Sequence, residues 1–239
     1  MDLFNCAEEP PQTFYVFLNR YNLVSRTNID KTGCICSSGF FQAITETDSE
    51  FANKYLKGSI SAFSPNFKSI QNFTKHFLDG TMDYLPFTEN QNCNLGITSM
   101  FSNSITSNYR AEYNCELSRK YDFPSYPSRL SSCYAFGDYE TCKNVSEKYK
   151  WDISSIRKFK LIPHSYNKVA KVNMEIVSLE RYANNVSIID SQTQDRIWKS
   201  YWRGFDNIQM ELPTLNGREK IDSGVIWEYL IEGILKLDD

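Results

Sequence analysis

The sequence has few histidines, no long apolar run and no glycine-rich phosphate signature, and each shortage removes a class of function. Of its 239 residues only His76 and His164 are histidines, and neither has a nucleophile motif beside it. A Ser-His-Asp or Cys-His hydrolase needs nucleophile and base within hydrogen-bond reach, so that chemistry has almost nothing to work with. The seven cysteines (6, 34, 36, 93, 115, 133 and 142) are scattered, and the closest pair, Cys34-x-Cys36, has no companion. Zinc ligation is therefore not expected, and no metal is. Neither GxxxxGK[ST] nor GxGxxG occurs, which removes the phosphate-loop and Rossmann readings. No apolar run reaches about 18 residues, so no membrane partner is expected. The stretch Met1 to Pro11 is acidic and broken by prolines, the opposite of a secretory signal, so the expected location is the cytoplasm, with thiols reduced. The net charge of -3 gives no general attraction to nucleic acid, although it leaves room for a local basic groove.

What the chain does have is aromatic material: 16 phenylalanines and 15 tyrosines in a composition that is 41% hydrophobic, enough for a sizeable core. The patterning predicts a strand over Thr13 to Leu18 that ends in Asn19-Arg20, then a glycine- and serine-rich loop over 32–39. Residues 40–105 read as an irregular, lid-like insertion with one helix, Asn66 to Leu78. Ser107 to Tyr121 reads as a helix with Tyr109, Tyr113, Leu117 and Tyr121 along one side, stopping before Pro124 and Pro127. A short strand to Phe136 follows, then a helix over 139–149 capped by Asp138. Strands are expected at 156–162 and 168–177, a helix at 193–202, a strand at 208–212 and a polar loop at 214–224. Strands and helices in this order make an α+β domain, not a doubly wound parallel sheet. We read 1–239 as one domain.

The last stretch, Val225 to Leu237, is β-branched and aromatic with a glycine kink at Gly233, and Glu228 lies inside it between Trp227 and Tyr229. A carboxylate among large hydrophobes is costly unless it is hydrogen-bonded or its chemistry is wanted. Alternation also allows it to face water, because residues 228, 230 and 232 share one face. Glu232 on that face and Glu211 on a weaker strand are rival carboxylates. Arg20 reads either as a solvated strand end or as an anion-binding group.

Four pieces, in order, carry a resemblance. They are the strand ending Val-Phe-Leu-Asn19-Arg20; the run Pro127-Ser128-Arg129-Leu130-Ser131-Ser132-Cys133-Tyr134-Ala135-Phe136; Tyr201-Trp202-Arg203-Gly204; and Trp227-Glu228-Tyr229-Leu230-Ile231-Glu232. Together they resemble the ADP-ribosyltransferase superfamily, in particular a bacterial and phage branch of toxin or effector type, over about residues 12–30 and 105–237. The first piece departs from many relatives, whose basic residue lies within the strand.

The resemblance implies a split, mostly antiparallel β-sheet core with flanking helices. It implies NAD as substrate, with ADP-ribose transferred to a protein side chain or nucleic-acid base and nicotinamide released. Glu228 would then be the catalytic carboxylate, steadying the positive charge that develops on the ribose as nicotinamide leaves. Asn19, Arg20, Arg129, Ser131, Tyr134 and Phe136 would bind NAD, with Arg20 or Arg129 on the pyrophosphate, Tyr134 and Phe136 walling the nicotinamide, and Ser131 bracing Glu228 or bonding the ribose. Trp202 and Arg203 would meet the acceptor. An antitoxin or inhibitor is a further partner for a protein of this kind. The competing readings are ordinary ones: a half-buried strand for Ser131 and Tyr134, a core tryptophan, a solvated Arg203. At the level of the whole chain they are a non-catalytic interaction protein on the same scaffold, or an NAD glycohydrolase in which water replaces the acceptor.

Overall fold

The computed structural model describes residues 10–18, 23–59 and 100–238. Strand β1 (Phe14–Phe17) runs antiparallel to β4 (Ile156–Leu161), which pairs with β9 (Ile234–Leu237), and β9 pairs with β2 (Cys34–Cys36). A second sheet has β8 (Trp227–Glu232) at its centre, between β3 (Cys133–Ala135) and β5 (Lys168–Asn173). The halves are joined by the chain itself at Gly233 and by one isolated bridge, Tyr15 to Phe136. Every strand pairing among the described residues is antiparallel. The fold is thus α+β with antiparallel sheets, as the element order implied.

Gly233 sits where β8 passes into β9, and the backbone there is crowded. A Cβ on it would lie 2.7 Å from Leu161 Cδ1 and 3.0 Å from Asn167 Oδ1. Alternation along β8 then decides what each side chain meets. Tyr229 and Ile231 enter a core with Phe14, Phe159 and Leu235. Leu230 turns the other way, into a layer built with α4 (Met100–Asp122), α6 (Met174–Val186) and α7 (Ser191–Trp202), where Ile176, Trp198 and Trp202 lie buried. Glu228 and Glu232 share that helix-covered face, so neither points into open water; they are 5% and 9% exposed.

Local chemistry explains where the helices begin. Asp138 Oδ1 accepts the Thr141 amide at 2.7 Å and starts α5 (Tyr139–Tyr149), as expected. Asn173, buried at the end of β5, accepts the amides of Glu175 at 3.1 Å and Ile226 at 3.0 Å. That cap turns the expected strand 168–177 into a shorter strand followed by α6. The side chain also donates to the Asp206 and Gly224 carbonyls, at 2.6 and 2.8 Å, and so fixes the path into β8.

Three other expectations change. The expected loop over 32–39 contains β2, held by β9 far along the chain, and the start of α2 (Ser38–Thr47). The first part of the expected irregular insertion is α2 and α3 (Ser49–Leu56), whose Phe40, Ile44, Ala52 and Leu56 pack with Cys34 and Ile234 as part of the core. Its predicted helix at 66–78 lies outside the described residues. The polar loop at 214–224 is instead the second arm of a hairpin, β6 (Gln209–Thr214) with β7 (Gly217–Asp222), turned by Gly217 at φ 120°. Among the described residues no helix is long and apolar enough to cross a membrane.

Candidate functional site: a buried carboxylate–guanidinium network

The turn before β3 is stiffened by its own serines. Ser131 N donates to Ser128 O at 3.2 Å, Ser132 Oγ donates to the same carbonyl at 2.6 Å, and Leu130 N donates to Ser128 Oγ at 3.2 Å. The knot points Arg129 inward, where it is 7% exposed. Its guanidinium uses Nε and Nη2 as a fork on Glu112 of α4, at 3.0 and 3.1 Å, and gives Nη1 to Glu228 Oε1 at 2.8 Å. Nη1 also donates to the Tyr201 hydroxyl of α7, and that hydroxyl donates to Glu228 Oε1 at 3.4 Å. Arg181 of α6 closes the outer end, with Nη2 on Glu112 Oε1 at 2.6 Å. Two carboxylates and two guanidiniums thus run from the core at Glu228 to the surface at Arg181. Among the described residues no donor reaches Glu228 Oε2.

Burial and charge pull against each other in this network. Burial pushes Glu228 above the ordinary carboxylate value, and the attraction of Arg129 offsets only part of that. Burial also works to raise Glu112, but Arg129 and Arg181 prevail and hold it below the ordinary value. Burial opposes the charge on Arg129; its neighbours Tyr201, Tyr134, Glu112 and Glu228 more than compensate, so it stays a cation. The Tyr201 hydroxyl is pushed up by burial and remains neutral. Two groups that share one guanidinium titrate as a unit.

A second carboxylate lies two residues along the same face of β8 beyond Leu230. Glu232 Oε1 accepts Ser131 Oγ at 2.8 Å and Ser128 N at 3.1 Å, and Lys168 Nζ lies 3.4 Å from Oε2. Gly39, at the start of α2, is pressed against this pair: a Cβ there would stand 2.8 Å from Ser131 Oγ and 3.1 Å from Glu232 Oε1.

Several expected roles move accordingly. Ser131 braces Glu232, not Glu228, because the serine turn meets the far end of β8. Arg129 is buried and spends four of its five N–H donors on Glu112, Glu228 and Tyr201, which keeps it from reaching out as a pyrophosphate clamp. Phe136 is 3% exposed, packed edge-on to Phe17 at 5.8 Å, so it walls no opening. Trp202 is fully buried with Nε1 donating to the Cys115 carbonyl at 3.0 Å, and contributes to the core instead of meeting an acceptor. Arg203 closes α7 and is exposed. Tyr134 keeps an open side at 39% exposure, its hydroxyl donating to the Arg129 carbonyl at 2.7 Å and its ring 5.2 Å from the guanidinium. Asn19 and Arg20 lie outside the described residues. Glu211 is exposed on the hairpin, 3.3 Å from Arg218.

Glu112 and Arg181 are the network members that sequence reasoning did not single out, and Tyr201 stood in the Tyr201-Trp202-Arg203-Gly204 piece without a role of its own. The tyrosine stripe on the 107–121 helix pointed the wrong way: Tyr121 is 73% exposed, and the deeply buried positions are Ala111, Cys115, Glu116 and Ser118. Small residues fill that side because α4 packs closely on α6 and α7. The spacing of Ala111, Cys115 and Ser118, four residues and then three, with a glutamate next to the first, was the available signal. Among the described residues no three His, Cys, Asp or Glu side chains form a metal-holding group, and Cys34, Cys36, Cys115, Cys133 and Cys142 are free thiols. No curated protein matches the chain. Residues 22–226, which include Glu112, Arg129 and Tyr201 and end just short of Glu228, match the family described as protein of unknown function, DUF2441, and the chain belongs to that family.

Proposed function

We propose that the chain is a mono-ADP-ribosyltransferase that uses NAD as substrate, acts in the cytoplasm, and modifies a macromolecular acceptor, a protein side chain or a nucleic-acid base. The observation that carries this reading is the buried Glu228, tied at one oxygen to the arginine of the Pro-Ser-Arg run, with no described donor on its other oxygen. Support also comes from the split antiparallel sheet with β8 at the centre of one half, the type of core that the resemblance implies.

In this reading Glu228 Oε2 accepts the ribose 2'-hydroxyl. As the bond from C1' to the nicotinamide nitrogen breaks, its electron pair leaves with nicotinamide, and the carboxylate opposes the positive charge spreading over C1' and the ring oxygen. The acceptor atom then bonds C1' and gives its proton to solvent. Tyr134 offers an exposed ring for the nicotinamide, and Asn19 and Arg20 remain the candidates for the pyrophosphate now that Arg129 is engaged. Of the two residues expected at the acceptor, Arg203 is the one on the surface.

Incubation with labelled NAD and cell lysate tests the reading. Transfer of label to protein or nucleic acid is expected, and Glu228→Gln should lower nicotinamide release by about 10²–10³. Release without any labelled macromolecule would make the protein a glycohydrolase; no NAD affinity, with a stable protein partner such as an antitoxin, would make it an interaction protein. A second assignment within the same reading gives the working role to Glu232, favoured by its 2.8 Å bond from Ser131. Glu232→Gln run beside Glu228→Gln separates the two carboxylates.

A further inference from the structure

We infer that Glu112 and Tyr201 are opposed positioning residues for Glu228, Glu112 drawing the shared Arg129 guanidinium toward itself and Tyr201 reinforcing the ionised, fixed form of the Glu228 carboxylate. The geometry is unequal in a specific way. Arg129 gives two nitrogens to Glu112 and one to Glu228, so the fork, the stronger arrangement, belongs to the carboxylate on α4. Arg181 lies on Glu112 as well, 2.6 Å away, and limits how much of Arg129 Glu112 claims. Tyr201, in contrast, touches both partners of the inner pair: its oxygen takes an Arg129 N–H and its proton points to Glu228 Oε1. One oxygen of Glu228 is thereby fixed from two elements, which also fixes the plane of the carboxyl and holds the other oxygen in one place to accept a ligand hydroxyl.

The surroundings of Glu228 contain few other charges. Among the described residues, the ionisable groups that act on it most or feel it, besides Arg129 on the turn and Glu112 on α4, are Tyr201 on α7, Tyr134 on β3 and Tyr149 on α5, and Glu232 lies four residues along the same strand face, beside Lys168. Cys115 on α4 lies near the same centre and is held neutral by burial. With the tyrosines and the thiol uncharged near neutrality, Glu112 is the carboxylate whose charge acts most on Glu228. Replacing it removes a repulsion and releases the fork to Glu228, and both changes favour ionised Glu228. Replacing Tyr201 by phenylalanine removes a donor from the ionised form and favours the protonated one. The two variants therefore act in opposite directions on one group, which a loss of packing alone does not do.

The catalytic arm of this inference rests on the proposed ADP-ribosyl transfer; the structural arm does not. Carboxyl-labelled glutamate, followed by carbon NMR across pH, reads the titration of Glu228 directly, with Glu228→Gln to assign the signal. Glu112→Gln is expected to move the Glu228 midpoint down, and Tyr201→Phe to move it up, each by about half a pH unit or more. If transfer activity is present, the acid limb of its pH profile should move with the midpoint in each variant. Opposite NMR shifts without any NAD reaction would keep the positioning roles and sink the proposed function. Shifts of the same direction, or none, would overturn the positioning roles whatever the activity. Should Glu112→Gln fail to fold, Tyr201→Phe decides alone: an upward midpoint supports the inference and an unmoved one refutes it.

Discussion

Arg129→Met is the sharpest perturbation of the network, because the methionine keeps most of the stem and removes the charge that two carboxylates share. In the native protein the side chains of Arg129 and Glu228 are 6% and 7% exposed, and Glu228 has no other cation within bonding reach among the described residues. Glu112 keeps Arg181 after the substitution, but Glu228 keeps only the Tyr201 hydroxyl at 3.4 Å. Leaving a buried charge without its partner costs about 3–5 kcal/mol, which for a chain of this length is roughly 6–20 °C in melting temperature.

The cost has a definite pH dependence. Native Glu228 already sits above the ordinary carboxylate value through burial, and loss of Arg129 moves it further up. A carboxylate raised in the folded state binds its proton more tightly there than in the unfolded chain. Its contribution is intact below the ordinary value and is lost as pH rises through the folded one. Urea unfolding at pH 5 and pH 8 should thus show Arg129→Met closer to the native protein at the lower pH. Adding Glu228→Gln should return much of the stability at pH 8, since the stranded charge is then gone. A loss under about 1 kcal/mol that is equal at both pH values would refute the picture of a buried, mutually dependent pair.

Two further measurements probe the same helix layer and the join between the sheets. Glu180, fully buried on α6 with Asn184 Nδ2 on Oε1 at 2.6 Å, is pushed by burial from an ordinary 4.5 to about 7. Its contribution is whole below the ordinary value and lost as pH rises through about 7, so Glu180→Gln should remove a pH-dependent loss of about 3 kcal/mol between pH 4.5 and 8, read from unfolding curves. Gly233→Ala places a methyl 2.7 Å from Leu161 Cδ1 and 3.0 Å from Asn167 Oδ1; a loss of about 1–3 kcal/mol in urea unfolding is expected, and an unchanged midpoint would mean the β8–β9 join has slack.

The parts of the fold that local chemistry dictates were legible. Asp138 announced its helix, Phe14–Phe17 its strand, and the proline pair the end of α4. What failed was whatever depends on a distant partner. Cys34-Ile35-Cys36 is too short to declare itself a strand, and is one only because β9 pairs with it. Alternation placed Glu228 and Glu232 on one face but said nothing of what covers it; three helices do. For the site, residue types were readable and pairings were not. Ser131 and Arg129 both meet carboxylates of β8, but Arg129 takes Glu228 and Ser131 takes Glu232, because the stiff turn spreads the two side chains toward opposite ends of the strand. Glu112 and Arg181 carry no motif, and only the crossing of α4 and α6 brings them together.

Stability alone gives a poor account of why this face of β8 is charged. Leu230 sits between Glu228 and Glu232 and packs into the helix layer, so the layer accommodates an apolar side chain at the neighbouring position. Well-packed apolar replacements for buried ion pairs are commonly as stable or more so, since desolvation of each charge offsets much of the attraction. The same layer holds Glu180 with its Oε2 unbonded and Glu116 with its Oε2 unbonded, both on the helices that supply Glu112 and Arg181. These groups are gathered on α4, α6 and β8, and the core between the two sheets is lined by Phe14, Phe159, Ile231 and Leu235. A fold that confines its desolvated charges to one layer, and builds the opposite layer from hydrocarbon, has a local reason for them. The transfer proposed above supplies one: it needs a carboxylate held against a guanidinium with an oxygen left for a ligand hydroxyl.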